Sequence, residues 1–197
     1  MIIWLATANV HKRDEFARAF PNHTLILPAE KHIAFEPIES GTSFVENALI
    51  KAETLYRTVK APVIADDSGL CVEALNGRPG IHSSRYGAVH NGTLLTDTER
   101  NHLLLHELTG IHNRAAHFVC TLVFYTAEHC FFTVQQRWNG LILSQEQGKN
   151  GFGYDPIFFV PECACSVAEL SEAEKSSISH RGKAAYILNH CLDFWTF

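Results

Sequence analysis

Two carboxylates, Asp66 and Asp67, stand side by side immediately after the apolar run of residues 62–65. A short continuous apolar run suits a strand buried on both faces. Adjacent carboxylates repel each other and lose hydration at the edge of a core, so without a cation nearby the pair is unfavourable there. Magnesium meets that need, because it takes one or two carboxylates together with phosphate oxygens. Glu39, on the preceding loop, is within plausible reach of the same place. Asp66-Asp67-Ser68-Gly69 is also good turn chemistry, which leaves a solvated strand-end turn as the alternative.

The surrounding pattern is that of an α/β protein. Residues 2–6 read as a buried strand, 7–11 as a polar turn and 12–20 as a helix with Phe16, Ala17 and Phe20 inward. Residues 24–27 suit a second strand, and 28–42 a loop carrying Glu36, Glu39 and Gly41. Ser43 is placed to cap a helix running to about Val59, with Glu46 completing a capping box and Phe44, Ala48, Ala52 and Leu55 buried. After the acidic pair, 70–75 reads as extended, 76–92 as a long loop and 93–108 as a helix. Residues 117–126 and 130–138, rich in β-branched and aromatic side chains, predict an antiparallel pair. A glycine-rich loop over 148–155 ends at Pro156, and a last helix follows Ser179 to about Phe194. Alternating strands and helices early and a hairpin in the middle predict a mixed sheet. The 197 residues fit one large domain, 1–197, or two lobes sharing one core.

Three more clusters can carry chemistry. Thr7, Ala8, Asn9, Val10, His11 and Lys12 follow a buried strand and open a helix, where side-chain donors, backbone amides and the Lys12 charge can hold a triphosphate. An ordinary capped turn is the plain alternative. His11 would add a second cation there once protonated. In Gly151-Phe152-Gly153-Tyr154-Asp155-Pro156, the glycines let the backbone approach a flat ligand while a ring stacks on it, with Asp155 at its edge; a turn with two core aromatics explains the same residues. Ser179 can cap the last helix, which puts His180 and Arg181 in its first turn, where the helix dipole opposes positive charge. An anionic or carbonyl-rich ligand would compensate, and Arg181 can donate two parallel bonds to a keto-bearing base edge.

Other residues read as structural. His102 and His106 share a helix face but flank no glutamate, so they are surface or partly buried histidines. Lys51 could reach a phosphate, but an exposed helix lysine is the simpler account. Cys71 has no base beside it in sequence, so a nucleophilic role is not expected. The six cysteines have no metal-ligand spacing and read as reduced, mostly buried thiols. A formal net charge of -5 argues against a duplex-binding protein, which needs a basic excess, but says nothing about one small cationic pocket. No apolar run approaches the ~20 residues needed to span a membrane, and a soluble, cytoplasmic protein is expected.

Taken together the clusters resemble one family, the inosine triphosphate pyrophosphatases, which cleave non-standard purine nucleoside triphosphates. The matching segments are Thr7-Ala8-Asn9, Ser43-Phe44-Val45-Glu46-Asn47-Ala48, Ile64-Ala65-Asp66-Asp67-Ser68-Gly69-Leu70, Pro79-Gly80-Ile81, Gly151 to Pro156 and Ser179-His180-Arg181-Gly182. They occur in the family's order over nearly the whole chain. The resemblance implies an α/β fold on a long mixed sheet with flanking helices, two lobes around a deep substrate cleft, a homodimer, and magnesium. It implies hydrolysis of inosine, deoxyinosine and xanthosine triphosphates to monophosphate and pyrophosphate, which keeps them out of DNA and RNA. By position it makes Asp67 the general base and a metal ligand, with Glu39 and Asp66 beside the metal. It gives Thr7 to Lys12, Ser68 and Lys175 to substrate, and Phe152 to Asp155, His180 and Arg181 to the purine. The family commonly has Gly where this chain has Ala8; an alanine forced into a left-handed conformation would cost roughly 1 kcal/mol or more. Members differ between Gly and a basic residue where this chain has His11.

Three other readings are weighed against this one, the plainest being a structural α/β protein, which leaves Asp66-Asp67 and His180-Arg181 unexplained. A Maf-like pyrophosphatase, favouring pyrimidine or modified nucleotides, would lack Ser179-His180-Arg181-Gly182. A non-catalytic nucleotide- or RNA-binding module would show a damaged carboxylate site or a basic stripe.

Overall fold

The computed structural model describes residues 1–88, 93–192 and 194, with His11 described by its backbone alone. Seven strands form one sheet in the order β2-β1-β3-β4-β5-β6-β7, where β1 is Ile2–Ala6, β2 Thr24–Ile26, β3 Val63–Val72, β4 Ala115–Ala127, β5 Cys130–Ile142, β6 Phe158–Val160 and β7 Cys165–Ser166. The helices are α1 Val10–Ala19, α2 Phe44–Val59, α3 Asp97–Glu107, α4 Glu172–Ile178 and α5 His180–Leu192. The sheet is mixed: β1 pairs in parallel with β2 and β3, with Trp4 opposite both Ile26 and Val63, whereas β6 pairs antiparallel with β5 and β7.

The chain divides into two compact units, each made of discontinuous segments: Met1–Ser68, Cys120–Gln136 and Ser179–Phe197 in the first, Gly69–Val119 and Arg137–Ile178 in the second. In the first unit, strand alternation builds two cores from one sheet. Ile64, Cys120, Leu122 and Phe124 pack on one face with Phe16 of α1, Phe20 just after it, and Ala184 and Leu188 of α5. Val63, Ala65, Val123 and Tyr125 pack on the other with Ala48, Ala52 and Leu55 of α2. The second unit has its own core, in which Leu70, Phe118, Trp138 and Phe158 meet Leu104 of α3 and Leu108 just after it.

Several expectations change. The helix α1 begins at Val10, because the Asn9 side chain accepts from the Lys12 amide at 3.1 Å and caps it there. Asp66 to Gly69 is not a turn: β3 runs unbroken from Val63 to Val72, and residues 73–75 form a 3-10 turn. Helix α3 starts at Asp97, capped by Thr96, rather than at residue 93. Ser43 caps α2 as expected, but Glu46 reaches one residue further back, to the Thr42 amide at 2.6 Å and its hydroxyl at 2.8 Å. Strand β4 extends past both ends of its expected range, and β5 starts at Cys130 as expected but runs on to Ile142. The loop expected over 76–92 holds a 3-10 helix at Gly80–Arg85, and its last four residues, 89–92, lie outside the described residues. Among the cysteines only Cys120 is buried; Cys130, Cys163 and Cys191 are exposed, and all six are free thiols. His102 and His106 are exposed, as read from their helix. Among the described residues no helix is long and apolar enough to cross a membrane.

Candidate active site

Period two along β3 sends the adjacent carboxylates to opposite faces of the sheet. Asp66 faces α1 and α5, with Ile64; Asp67 faces α2, with Val63 and Ala65. Each therefore gathers its own cations. Lys12 Nζ lies 2.5 Å from Asp66 Oδ2, and Arg181 Nε lies 3.7 Å from the same oxygen. Cys120 donates to Asp66 Oδ1 at 3.2 Å, and the Ser68 hydroxyl donates to the same atom. Burial alone would raise the Asp66 pKa, but the charges of Lys12, Arg181 and Lys51 win and hold its carboxyl far below the usual range. The same burial and the Asp66 charge push the Cys120 thiol up, so it stays protonated and donates.

Asp67 is bound differently. Lys51 Nζ lies 2.6 Å from its Oδ1 and 3.1 Å from Glu39 Oε1. Its second oxygen, Oδ2, is buried and has no hydrogen-bond partner among the described residues. Burial raises the Asp67 pKa, the Lys51 charge opposes this, and Asp66 and Glu39 add to the rise. A buried carboxylate with a raised pKa and one vacant acceptor is what a general base requires. Gly41 lets the Glu39 loop lie this close to α2: a Cβ there would stand 2.7 Å from Glu46 Cβ and 2.8 Å from Asn47 Oδ1, the atom that accepts from the Gly41 amide at 2.9 Å.

At the start of α5, Gly182 N–H donates to Ser179 Oγ at 3.1 Å, so Ser179 caps the helix. His180 and Arg181 follow, both buried. The compensation that Arg181 needs against the helix dipole comes from within the protein: its guanidinium meets the carboxylates of Glu15 and Asp66. These neighbours raise its pKa against the burial that would lower it. Ala8 is not among the positive-φ residues, so it carries no left-handed strain. Thr7 Oγ1 accepts from the Asn9 amide at 3.1 Å, Val10 opens α1 with an exposed side chain, and the His11 side chain lies outside the described residues.

The second unit holds Phe152, Gly153, Tyr154, Asp155 and Lys175. Asp155 Oδ2 accepts from the Phe152 amide at 2.8 Å and from Lys175 Nζ at 2.7 Å, and that ammonium stands 4.5 Å from the Phe152 ring centroid. Gly151 is required here, since its φ is +76° and a Cβ would meet Asp155 Oδ2 at 2.1 Å. The Tyr154 hydroxyl donates to the Ser83 carbonyl at 2.9 Å, and burial pushes its pKa above the usual range.

Reasoning from sequence missed Lys51, Glu15 and Cys120 as site neighbours. Lys51 was legible: it stands three residues after Ala48 and four before Leu55, on the buried stripe of α2. The expected exposed lysine is instead buried and ion-paired. Glu15 and Cys120 had no local signal, because their partners are distant in sequence.

Among the described residues no group of three or more His, Cys, Asp or Glu side chains is arranged as a metal site. Asp67 and Glu39, joined through Lys51, form a two-carboxylate pair with a vacant acceptor at Asp67 Oδ2. Magnesium that also binds phosphate needs no more protein than this, so the residues fit it.

Comparison with known proteins gives a consistent picture. The model of the Ham1 family matches residues 3–190. A dITP/XTP pyrophosphatase of Treponema denticola is 47% identical over 189 residues, 96% of this chain and 97% of that protein. One from Staphylococcus epidermidis is 40% identical over 191 residues, 97% of this chain and 96% of that protein. Among solved structures, a HAM1 protein from Coxiella burnetii superposes with a TM-score of 0.90 at 38% identity, covering 99% of this chain and 100% of the other.

Proposed function

Because the chain belongs to the Ham1 family, we propose that it hydrolyses non-standard purine nucleoside triphosphates, those of inosine, deoxyinosine and xanthosine, to the monophosphate and pyrophosphate. The observation that carries the chemistry is Asp67: one oxygen held by Lys51, the other buried with no hydrogen-bond partner among the described residues.

In this reading Asp67 Oδ2 accepts a proton from the water that attacks the α-phosphorus, while Lys51 keeps the carboxylate oriented. Glu39, with the Asp67 carboxylate beside it, would hold magnesium, which would supply positive charge to neutralise the triphosphate. Asp66, on the opposite face, does not share that pair; it anchors Lys12 and Arg181, and Lys12 lies in the first turn of α1, where Thr7 to Lys12 and Ser68 take phosphate oxygens. Phe152 to Asp155 take the base, with the ring stacking on it and Lys175 holding Asp155 and Phe152 in place. Catalysis is then largely positioning and charge neutralisation. A homodimer and a cytoplasmic location belong to the same reading through the family resemblance; light scattering tests the first.

A panel of ribo- and deoxynucleoside triphosphates with magnesium, scored for pyrophosphate, tests the proposal. Inosine and xanthosine nucleotides are expected to turn over well above ATP and GTP. Equal turnover of all four, or release of phosphate instead of pyrophosphate, would overturn it.

A further inference from the structure

Helix α3 carries two side chains that the proposed reaction leaves unassigned. Asp97 and Asn101 are four residues apart and so share one face of the helix. Both are spent on Gly153: the Gly153 amide donates to Asp97 Oδ2 at 2.6 Å, and Asn101 Nδ2 donates to the Gly153 carbonyl at 3.1 Å. Each is braced in turn. Asn101 is fully buried and donates to Glu146 Oε1 at 2.8 Å. Asp97 pairs with Arg100, whose guanidinium donates at 2.8 Å to the carbonyls of Ser84 and Leu95. Gly153 sits at φ +65°, a conformation that glycine adopts freely and that needs an outside hold to be the only one populated.

We propose that Asp97 and Asn101 are positioning residues for base selection: by clamping both polar groups of Gly153 they fix the Phe152 ring against which the base stacks. This rests on the assignment of Phe152 to the base. The Phe152 amide is already given to Asp155 and both Gly153 groups to α3, so these three backbone groups are not offered to a ligand edge. The discrimination that this loop supplies therefore comes from ring placement, and α3 sets it.

The test compares Asp97→Ala, Asp97→Asn and Phe152→Ala in the full-length enzyme with magnesium. The readouts are KM and kcat for inosine triphosphate, inhibition by inorganic tripolyphosphate, and Tm. Asp97 is half exposed, so its truncation is expected to leave Tm within a few degrees, on the scale of ordinary surface changes. Asp97→Ala is expected to raise KM about tenfold, the scale of one lost hydrogen bond to a charged group, with kcat within about twofold and tripolyphosphate inhibition unchanged. Asp97→Asn keeps an oxygen for the Gly153 amide and is expected to restore KM. If Phe152→Ala raises KM and Asp97→Ala does not, the clamp is overturned while the base assignment stands. If Asp97→Ala lowers kcat and tripolyphosphate affinity together with Tm, its role is general support and the proposal falls. If Phe152→Ala leaves KM unchanged, the base assignment itself fails and the clamp falls with it.

Discussion

Lys51 Nζ lies 2.6 Å from Asp67 Oδ1, and it is the only described hydrogen-bond partner of that carboxylate. The bond fixes which oxygen remains for chemistry. Asp67→Asn keeps the shape but removes the carboxylate proposed as the base, so kcat is expected to fall ~100-fold or more, the scale of general-base removal. Single-turnover kinetics with inosine triphosphate check this, and near-normal turnover would move the base elsewhere.

The same contact sets a pH dependence. Burial raises the Asp67 pKa and Lys51 lowers it. The base is active when ionised, so activity falls as pH drops through its pKa. Lys51→Met removes the lowering charge, and the acid limb of kcat/KM is expected to move to higher pH. A limb that stays in place or moves to lower pH would show that Lys51 does not tune Asp67.

Asp66 makes the opposite contribution to stability. Its folded pKa is depressed by Lys12, Arg181 and Lys51 despite burial. Its stabilising effect is therefore fully present above the unfolded value of about 3.9 and is lost as the pH falls below it toward the folded value. Asp66→Asn, which removes the buried charge that Lys12 and Arg181 face, is expected to cost roughly 3–5 kcal/mol at neutral pH. Urea unfolding of the variant should also respond less to pH below 4; an unchanged pH response would place the acid-sensitive group elsewhere.

Arg181 bridges α5 to Glu15 of α1 and Asp66 of β3. Arg181→Met removes a buried cation that faces both Glu15 and Asp66, so unfolding free energy is expected to fall by roughly 3–5 kcal/mol. The double variant Glu15→Gln with Arg181→Met should recover part of that loss. Purely additive losses would deny the coupling.

In the first unit, β1, the start of β3 and α2 were legible because each carries a clear pattern: continuous apolar residues in β1 and over 62–65, and the Ala48, Ala52, Leu55 stripe in α2. The short strands β6 and β7 and the seven-residue α4 were not, since three, two and seven residues hold too little periodicity to read. Asp66 and Asp67 were recognisable as a pair, but the unbroken strand sends them to opposite faces, where each meets different cations. The partners Glu15 and Cys120 depend on which helix covers which face, a fact of tertiary packing that no local pattern carries.

The central claim is attack by water at the α-phosphorus with pyrophosphate leaving, and hydrolysis of inosine triphosphate in oxygen-18 water with magnesium tests it most directly. The account predicts one labelled oxygen in inosine monophosphate and none in pyrophosphate. Label in pyrophosphate, or inosine diphosphate as the product, would contradict it.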